Sequence, residues 1–505
     1  MCEVPNYRIE KDERLGRYLV ANKPLKKGTL VFTDVPFALG PKPGRSEKFF
    51  NHYKNSYETL ENIAIIFLLD SLPVCLGCLG IWNAAYRCSK CGWPCCSAAC
   101  EEIATHREYE CQVFSEARAG FHLVDGATKP CLQYDCITPL RVLLAKEKDP
   151  SRWEKEVTVM EDHDLDRKQR ISWEVDQINI TQYLRGPCKL AERFSERLIQ
   201  KVCGILEVNA VEVPSQCGPN NRAIYPKVGI MSHNCVPNVV HTIVLEMCYT
   251  HVLHSTIQRR DFLKLSKFFD CDCKRCADPT EFGTHMGTLK CNQCETGNVL
   301  PVDPLGKSTI IATLLINKQS IWNCQECNFS TESDTVRKLI SVIQNEISIA
   351  EQNASGPAEI EQREQAYHNI LHQKHSILTC LRYSLSQVYG RAAGYMLEDL
   401  SVAMLKRKVK LCRQVTEVLD VISPGQTRMR GSMNLYEMHA PLMILARIEY
   451  KDGSINEKQL KEKMSEIAEM LHESAEILSR EDENSEKGII GRAAMKSYKE
   501  LLKTL

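Results

Sequence analysis

The feature that most constrains this chain is a run of cysteines between residues 75 and 111, CLGCLGIWNAAYRCSKCGWPCCSAACEEIATHREYEC. Its potential ligands come in pairs with short spacings: Cys75 with Cys78, Cys88 with Cys91, Cys96 with Cys100, and His106 with Cys111. A closed structural zinc site takes four sulfur or imidazole ligands, so eight such residues predict two zinc ions. A segment this short, with few large apolar residues, would scarcely fold without its metal.

Two further groups of cysteines predict more metal. The stretch KFFDCDCKRC supplies Cys271, Cys273 and Cys276, and three thiolates require a fourth ligand. We expect that ligand to be Cys235, in the segment GIMSHNCVPNVVHTIVLEMCYTH. A ribbon-like set of two C-x2-C pairs would hold another ion: Cys291 with Cys294, and Cys324 with Cys327. The sequence therefore predicts three zinc ions, and a fourth at the ribbon.

The other ten cysteines are scattered along the chain. Buried apolar packing is the expected role of a free cysteine without a metal or a catalytic partner. These residues are Cys2, Cys95, Cys131, Cys136, Cys188, Cys203, Cys217, Cys248, Cys380 and Cys412.

Length and charge narrow the class of protein. At 505 residues and 43% apolar content, the chain exceeds what one hydrophobic core usually spans, so several substructures are expected. Lysine plus arginine equals aspartate plus glutamate at 64 each, so no net field draws the molecule to nucleic acid, and direct nucleic-acid binding is not expected. The N-terminus lacks the apolar core of a secretory signal, and 25 cysteines in a reducing compartment indicate metal rather than disulfides. The nucleus, the cytoplasm or both are the expected locations.

One apolar stretch is long enough to be considered as a membrane span. Residues 63–82, IAIIFLLDSLPVCLGCLGIW, are apolar over roughly the thickness of a bilayer. Asp70 and Pro73 interrupt the stretch, and a central aspartate costs about 2.5 to 3.5 kcal/mol on insertion scales. No membrane interaction is therefore expected.

Local patterns predict a mixed architecture. Runs such as RYLVANK and GTLVFTDVPFAL predict strands and tight turns within residues 1–45, whereas residues 112–200 read as mostly helical. Residues 201–276 return to short apolar runs that we interpret as strands. After residue 330 apolar positions recur at helical intervals: Ile370, Leu371, Ile377, Leu378, Leu381, Leu385 and Val388, then again in 400–423, 435–449 and 457–479, with SPGQ at 423–426 as one turn. The predicted fold class is α+β, with several domains and an all-helical C-terminal part.

The cysteine run resembles a MYND finger, whose two zinc sites interleave along the chain. The resemblance implies one zinc on Cys75, Cys78, Cys96 and Cys100, and a second on Cys88, Cys91, His106 and Cys111. Such a finger between strand-like segments, followed by a His-x-Cys-x-Pro-Asn box and a C-x-C-x2-C cluster, is similar to the SET and MYND protein family. The stretch RCADPTEFGTHMGTLKCNQC, with the Trp-x-Cys-x2-Cys that follows it, resembles the arthropod branch of that family.

The resemblance implies a split SET β-fold that carries inserted segments. The implied domains are the N-terminal part of the SET domain (1–70), the MYND finger (75–111), a helical insert (112–200), the C-terminal part of the SET domain (201–260), a Cys-rich post-SET and ribbon-like region (261–330) and a helical C-terminal domain (331–505).

Active members of this family are protein-lysine methyltransferases that use S-adenosylmethionine. The stretch LGRYLVA matches the family's cofactor-binding turn, and the residues that the resemblance assigns to the cofactor are Gly16, Arg17, Tyr18, Asn209, Ser232 and His233. The backbone of His233 is expected on the adenine side, and Ser232 stands where the family usually has asparagine. Asn238 matches a structural asparagine of the box.

Tyr249 matches the tyrosine that lies beside the lysine amine and the transferring methyl group. Methyl passes in a straight line from a sulfonium to a neutral amine, so the enzyme mainly aligns the reactants and excludes water. A tyrosine oxygen and backbone carbonyls orient the amine and stabilise the charge that develops on nitrogen.

Two departures from the family pattern bear on catalysis. Residues 239–248, VVHTIVLEMC, reach at most about 33 to 36 Å when fully extended, which we interpret as one strand with no return. No Gly-Glu-Glu motif precedes Tyr249, and only Glu246 echoes it. Lys267 stands where many relatives carry a second active-site aromatic residue, with Phe268 and Phe269 as alternative apolar walls. Either catalysis has been lost, or this chain lacks an exon-sized piece.

Two functions follow. The first is a SET-type protein-lysine methyltransferase acting on histone or non-histone lysines, impaired by the short segment 239–248. The second is a non-catalytic, zinc-dependent adaptor or corepressor, whose MYND finger binds proline-containing peptides of partner proteins.

Overall fold

The structure, a computed structural model, describes residues 6–13, 16–26, 29–43, 73–82, 84–122, 132–213, 220–237, 240–241, 245–246, 248–306, 321–352, 356–423, 435–481 and 486–504. It combines helices with small sheets, as the composition and patterns predict. The chain divides into two units: Met1–Ser232 with Leu265–Phe268, and His233–Lys264 with Phe269–Leu505.

The strands of the first unit form two small antiparallel sheets. A hairpin pairs β1 (Tyr7–Asp12) with β2 (Gly16–Ala21). A three-stranded sheet has the order β3-β5-β4, where β3 is Ala38–Pro41, β4 is Val211–Val213 and β5 is Asn221–Ile224. Because β3 pairs with β5, the cysteine run and the helices after it are inserted between strands of one sheet.

The inserted segment of the first unit is mostly helical from the second half of the cysteine run onward. Its α-helices are α1 (Ala98–Glu101), α2 (Ala104–Arg107), α3 (Glu110–Ala117), α4 (Ile137–Lys148), α5 (Pro150–Arg152), α6 (Asp164–Arg167), α7 (Ile171–Asp176), α8 (Tyr183–Arg185) and α9 (Glu196–Asn209). Short 3-10 turns occupy Leu132–Cys136 and Val228–Ile230, and π-helical turns occupy Trp153–Val157 and Gln177–Gln182.

Helix α9 corrects the interpretation of residues 201–209 as strand. Its buried side chains include Ile199, Val202, Cys203 and Leu206, whose three- and four-residue spacing places them on one helical face. Ser195 caps the helix, because its hydroxyl accepts a hydrogen bond from the Leu198 amide. The short apolar runs are turns of a helix. Their interpretation as strands was wrong because periodicity over so few residues does not distinguish a buried strand from a buried helix.

The second unit contains a two-stranded ladder and a four-stranded sheet. The ladder joins β6 (Val240–His241) to β7 (Leu245–Glu246). The sheet has the order β11-β10-β9-β8 with all neighbours antiparallel, where β8 is Leu289–Lys290, β9 is Asn298–Pro301, β10 is Ile321–Cys324 and β11 is Ser330–Glu332.

Helices form the rest of the chain as described, and the first of them corrects the interpretation of residues 256–266 as strand. They are α10 (Thr256–Ser266), whose last two residues belong to the first unit, α11 (Lys274–Ala277), α12 (Ser333–Gln352), α13 (Pro357–Ala366), α14 (Ser376–Val388), α15 (Val402–Ile422), α16 (Tyr436–Lys451), α17 (Glu457–Leu478) and α18 (Glu486–Leu502). Ile370 and Leu371 precede α14, and Leu371 instead forms an isolated bridge with Leu289. Residues 424–426 of the predicted turn lie outside the described residues.

Among the helices that the structure describes, none has both the length and the apolar character that crossing a bilayer requires. Residues 63–72 of the apolar stretch lie outside the described residues. Pro73 begins the described part, and the thiol of Cys75 is fully buried.

Candidate functional site

The structure gathers the predicted metal ligands into four groups, in each of which all the ligand atoms lie within 4.8 Å of one another. The groups are Cys75, Cys78, Cys96 and Cys100; Cys88, Cys91, His106 and Cys111; Cys235, Cys271, Cys273 and Cys276; and Cys291, Cys294, Cys324 and Cys327. These are the same sets that the spacing and the family resemblance predict.

The separations of the sulfur atoms fit zinc. The Sγ atoms are 3.6 Å apart between Cys88 and Cys111, and 3.8 Å apart between Cys235 and Cys271. Sulfurs bound to one tetrahedral zinc at about 2.3 Å lie about 3.8 Å from each other. A disulfide would bring them to about 2.05 Å. The donor sets therefore fit four-coordinate zinc.

The second finger group is supported by a buried ion pair. The Nε2 atom of His106 lies 3.7 Å from Sγ of Cys91, and its Nδ1 lies 2.9 Å from Oε1 of Glu110. Arg141 donates to both carboxylate oxygens of Glu110, at 2.8 and 2.6 Å. Although burial alone raises it, the pKa of Glu110 is lowered overall by Arg141 and His106. The carboxylate fixes the orientation of the imidazole ring and so leaves Nε2 for the metal.

Sequence reasoning missed Glu110 and Arg141. One signal was available, because Glu110 follows His106 by four residues, which puts both side chains on one helical face. Arg141 carried no such signal, since it lies 31 residues from Glu110.

A buried arginine side chain contacts the sulfurs of the third group. Arg259 is fully buried, and its guanidinium donates to Sγ of Cys235 at 3.2 Å and to Sγ of Cys276 at 3.4 Å. The same guanidinium pairs with Glu281 at 2.6 Å. Four thiolates around one zinc carry a net charge of about −2, so a buried guanidinium offsets part of that charge.

The fourth group lies on the small sheet and is supported by backbone amides. The amide of Gln293 donates to Sγ of Cys291 at 3.3 Å, and the amide of Glu326 donates to Sγ of Cys324 at 3.4 Å. A Cβ at Gly297 would lie 2.3 Å from Sγ of Cys324, so only glycine fits beside these sulfurs.

Tyr249 is linked to the third group through His233. The Tyr249 amide donates to Nδ1 of His233 at 3.1 Å, and Nε2 of His233 lies 3.2 Å from Sγ of Cys235. Since Nδ1 accepts, the neutral ring carries its proton on Nε2 and donates it toward the sulfur. Burial lowers the pKa of His233 to about 4 and raises the pKa of Tyr249 to about 12, so both side chains are neutral near pH 7.

The interpretation of residues 239–248 as a single strand without a return is wrong. Val240 pairs with Glu246 and His241 pairs with Leu245, in antiparallel register. The extended-length argument set only an upper limit on reach, and a chain this short still has room for a tight hairpin of two-residue strands. Asn238 lies outside the described residues.

The residues that the resemblance assigns to the cofactor are divided between the units. Gly16, Arg17, Tyr18, Asn209 and Ser232 belong to the first, and His233 and Tyr249 to the second. Gly16 has φ +66°, and nothing lies within 4 Å of a Cβ built there.

The remaining cofactor residues of the first unit have local partners. Arg17 donates to the Val159 carbonyl at 3.2 Å, and the Tyr18 hydroxyl donates to Glu10 at 3.1 Å. The Asn209 amide donates to the carbonyl oxygens of Glu161 and Ile205, at 2.8 and 3.0 Å. Ser232 is exposed.

Lys267 binds the end of α9. Its Nζ donates to the Val208 carbonyl at 2.6 Å, where the helix dipole favours a cation. Burial lowers the pKa of Lys267 to about 8, and the charge of Glu207 opposes the shift.

The two phenylalanines that follow Lys267 have different surroundings. The ring of Phe268 stacks on His163 at 4.5 Å and lies 3.9 Å from the Arg170 guanidinium. Phe269 belongs to the second unit and lies 5.8 Å from the His233 ring, measured between centroids. Of the two predicted apolar walls, Phe269 is therefore the one beside His233.

The other cysteines include several that are buried, as expected: Cys95, Cys136, Cys188, Cys203 and Cys412. Cys248 and Cys380 are half-buried. Cys2, Cys131 and Cys217 lie outside the described residues.

Comparison with known proteins gives a consistent assignment. No family model matches the chain. SET domain-containing protein SmydA-8, isoform B, of Drosophila melanogaster is 27% identical over 336 residues, which cover 59% of this chain and 64% of that protein. Histone-lysine N-methyltransferase ASHR1 of Arabidopsis thaliana is 23% identical over 450 residues, covering 83% and 85% of the two chains. N-lysine methyltransferase SMYD2-A of Danio rerio is 25% identical over 301 residues, covering 54% and 61%.

The match spans less than two thirds of the length of the two SmydA-8 isoforms. Their origin in a fly agrees with the arthropod branch that the sequence resembles. These relatives and the four metal-ligand groups lead to one conclusion: the chain belongs to the SET and MYND domain-containing protein family.

Proposed function

We propose that this chain is a SET-type protein-lysine methyltransferase that uses S-adenosylmethionine and acts slowly. The names of two relatives, a histone-lysine and an N-lysine methyltransferase, support the activity and a protein lysine as the substrate. The proposed domain layout is a split SET fold, interrupted by a MYND finger and a helical insert and followed by Cys-rich and helical regions. The pairing of β3 with β5 across the inserted segment supports this layout.

The observation that carries the proposal is the connection from Tyr249 through His233 to Cys235. The third metal group would hold His233, and His233 in turn holds the Tyr249 backbone through its ring nitrogen. A neutral tyrosine hydroxyl can orient an incoming lysine amine, because methyl transfer needs alignment more than acid or base catalysis. The raised pKa of Tyr249 keeps that hydroxyl protonated at neutral pH.

S-adenosylmethionine supplies an activated methyl group on a sulfonium. We propose that Gly16, Arg17, Tyr18 and Asn209 hold its amino-acid end, and that Ser232 and the His233 backbone hold its adenine side. The left-handed φ of Gly16 and the open space at its missing Cβ support close approach of a ligand to this backbone. The Asn209 amide hydrogens are donated to two carbonyls, so its side-chain oxygen is the group proposed to accept from the cofactor's amine.

Two features of the chain support a slow rate. The ladder of β6 and β7 has two residues in each strand, and the sequence has no Gly-Glu-Glu motif before Tyr249. Lys267 takes the place of an aromatic residue and binds the α9 carbonyls. An aliphatic amine offers none of the ring surface that stabilises a nearby cation.

The test is binding and transfer with the zinc-loaded protein. We expect heat from binding of S-adenosylmethionine in isothermal titration calorimetry, and transfer of labelled methyl to histones or other lysine-rich proteins. Tyr249→Phe should lower transfer and leave cofactor binding unchanged, because Tyr249 is proposed to orient the amine alone. Absence of binding with the zinc content intact would refute the proposal and favour the adaptor, whose proline-containing partners should then be lost on Cys88→Ser.

A further inference from the structure

A pocket with a volume of about 200 Å³ lies within the second unit, between helix α10, the four-stranded sheet and the start of α12. Its apolar wall is formed by Ile257, Pro279, Pro301, Pro304 and Trp322. Trp322 is 2% exposed and donates from Nε1 to the Ser333 hydroxyl at 3.3 Å, which holds the indole ring against the start of α12. Pockets for drug-sized ligands occupy about 300 to 1,000 Å³, so this one suits a group the size of a single amino-acid residue.

Two arginines, Arg260 and Arg337, line the same pocket. Asp261 follows Arg260 in α10 and pairs with Arg337, so the two arginine side chains lie near each other. Arg260 donates from Nη1 to the Pro304 carbonyl at 2.7 Å, and its Nη2 lies 3.7 Å from Oδ1 of Asp270. Within the part of the chain that the structure describes, the buried Nε of Arg260 has no hydrogen-bond acceptor. An unpaired buried donor costs free energy, so a ligand that supplies an acceptor gains by pairing it.

The carboxylates that line the pocket are already paired or exposed to solvent. Asp278 accepts hydrogen bonds from backbone amides on both of its oxygens, at 2.8 and 2.9 Å. Glu281 pairs with the buried Arg259 at 2.6 Å, and its other oxygen accepts from a backbone amide at 2.8 Å. Asp334 is exposed, where salt and water screen its charge. The unpaired donor therefore favours an acceptor in the pocket, and the three carboxylates would repel a dianion more strongly than a monoanion.

We propose that this pocket binds a carboxylate that carries a small branched apolar group, either the C-terminal residue of a peptide or a free organic acid. Arg260 donates a charge-assisted hydrogen bond to the carboxylate, and Arg337 supplies a second positive charge. The apolar group packs on Trp322 and the prolines of the wall. The pocket shares no residue with the proposed methyl-transfer site or with the four metal-ligand groups.

The experiment compares two small probes, N-acetyl-leucine and its uncharged amide, by saturation-transfer difference NMR titration of the full-length, zinc-loaded protein. The probes have the same shape and differ in the carboxylate. We expect N-acetyl-leucine to bind with a Kd on the order of a millimolar, as suits a ligand of this size, and the amide to bind about tenfold more weakly. Inorganic phosphate should not compete, because it is largely a dianion at neutral pH.

Substitution of Arg260 separates a binding role from a structural one. In Arg260→Gln the two probes should bind about equally, because the preference for the carboxylate depends on the positive charge. Arg260→Lys keeps the charge without the planar set of donors and should keep part of the preference. The matched control is Arg363→Gln, since Arg363 is also half-buried and donates to a backbone carbonyl, that of Glu346 at 3.1 Å, but lies outside the pocket. Zinc content and thermal unfolding show whether each variant is folded.

Three outcomes would overturn the proposal: equal binding of the two probes by the unmodified protein, competition by inorganic phosphate, or an undiminished preference for the carboxylate in folded Arg260→Gln. If Arg260→Gln does not fold, Arg337→Gln replaces it and should reduce the preference by a smaller factor; an unchanged preference there would count equally against the proposal.

A tetrapeptide that ends in leucine with a free carboxylate distinguishes the two sources of the ligand. Tighter binding than that of N-acetyl-leucine would assign the pocket to a protein C-terminus, and weaker binding would assign it to a free acid. None of these readouts depends on methyl transfer, so they stand apart from a failure to bind S-adenosylmethionine.

Discussion

The finger (residues 75–111) and the ribbon (Cys291 with Cys294, and Cys324 with Cys327) both use C-x2-C pairs, yet the surroundings of their sulfurs differ. In the second finger group all four ligands are buried, and Cys88, Cys91 and Cys111 belong to the main hydrophobic core of the first unit. In the ribbon, Cys294 and Cys327 are half-buried, and the backbone amides of Gln293 and Glu326 donate to the sulfurs of Cys291 and Cys324. The same ligand spacing therefore serves a fully buried group in the finger and a partly exposed group in the ribbon, where only Cys291 and Cys324 are buried in a core.

The difference extends to what surrounds the ligands. Trp93 is fully buried in the finger and stacks on Phe114 at 4.3 Å, while the Glu110–Arg141 pair reaches helix α4. Arg141 also donates to the Leu76 carbonyl at 2.7 Å and to the Leu39 carbonyl at 3.0 Å. One side chain thus joins the finger, strand β3 and helix α4. Loss of metal should spread through the first unit from the finger, and from the ribbon only into the second-unit core that Cys291 and Cys324 share with α12 and α14.

The largest expected effect is that of His106→Ala. Structural zinc contributes on the order of 10 kcal/mol to the folding of small metal-bound segments. Removing a ligand should therefore release one zinc ion per molecule and abolish the cooperative unfolding transition of the first unit. Elemental analysis and thermal unfolding measure both. Cys294→Ser is the matched change at the ribbon, and an equal loss of stability there would contradict the comparison.

The second largest loss of stability is expected of Arg141→Met. The change leaves the Glu110 carboxylate buried without its cation, which typically costs about 3 to 5 kcal/mol. Urea unfolding at neutral pH measures the loss of unfolding free energy. Adding Glu110→Gln removes the unpaired charge and should restore part of the stability; a double variant as unstable as Arg141→Met would mean that lost packing, and not charge, is the cause.

A smaller effect is expected of Gly297→Ala, which tests the ribbon without touching a ligand. Its Cβ would meet the sulfurs of Cys324 and Cys294 at 2.3 and 2.5 Å, so the fourth zinc should be weakened or lost at a stability cost of about 1 to 3 kcal/mol. Zinc content measures this directly.

Substitutions at two other glycines serve as comparisons for Gly297→Ala. Gly356→Ala has open space around its Cβ and an ordinary φ of −73°, and should keep the full zinc content. Gly77→Ala would place a Cβ 2.1 Å from the Cys100 carbonyl oxygen in the finger, and should cost more stability than Gly297→Ala. If Gly77→Ala instead cost less stability than Gly297→Ala, the finger would tolerate an added Cβ better than its burial predicts.

The smallest effect is kinetic. A chelator at low concentration should remove the ribbon zinc first, because half-buried sulfurs are accessible, and should leave the thermal transition of the first unit in place. Native mass spectrometry counts the remaining ions, and Cys294→Ser identifies the one lost first. Early loss of a finger zinc would reverse the comparison.

Much of the fold and of the metal chemistry could be predicted from local sequence. The C-terminal helices were expected at 400–423, 435–449 and 457–479, and the structure has them at Val402–Ile422, Tyr436–Lys451 and Glu457–Leu478. Family membership was predicted correctly too, because zinc ligands are rare residue types with spacing set by coordination. The prediction failed at α9, at α10 and at the β6–β7 return, where runs of a few apolar residues fit more than one backbone conformation.

The sequence by itself determined which residues form the candidate metal-ligand groups, because a thiolate pair two residues apart reaches a single ion whatever the rest of the chain does. Only the tertiary structure decided which charged side chains lie beside them: Arg141 binds Glu110 next to His106, and Arg259 contacts the sulfurs of the third group. These neighbours are set by the packing of distant segments, which no local spacing encodes. They also decide which charges offset the charge of each group of ligands.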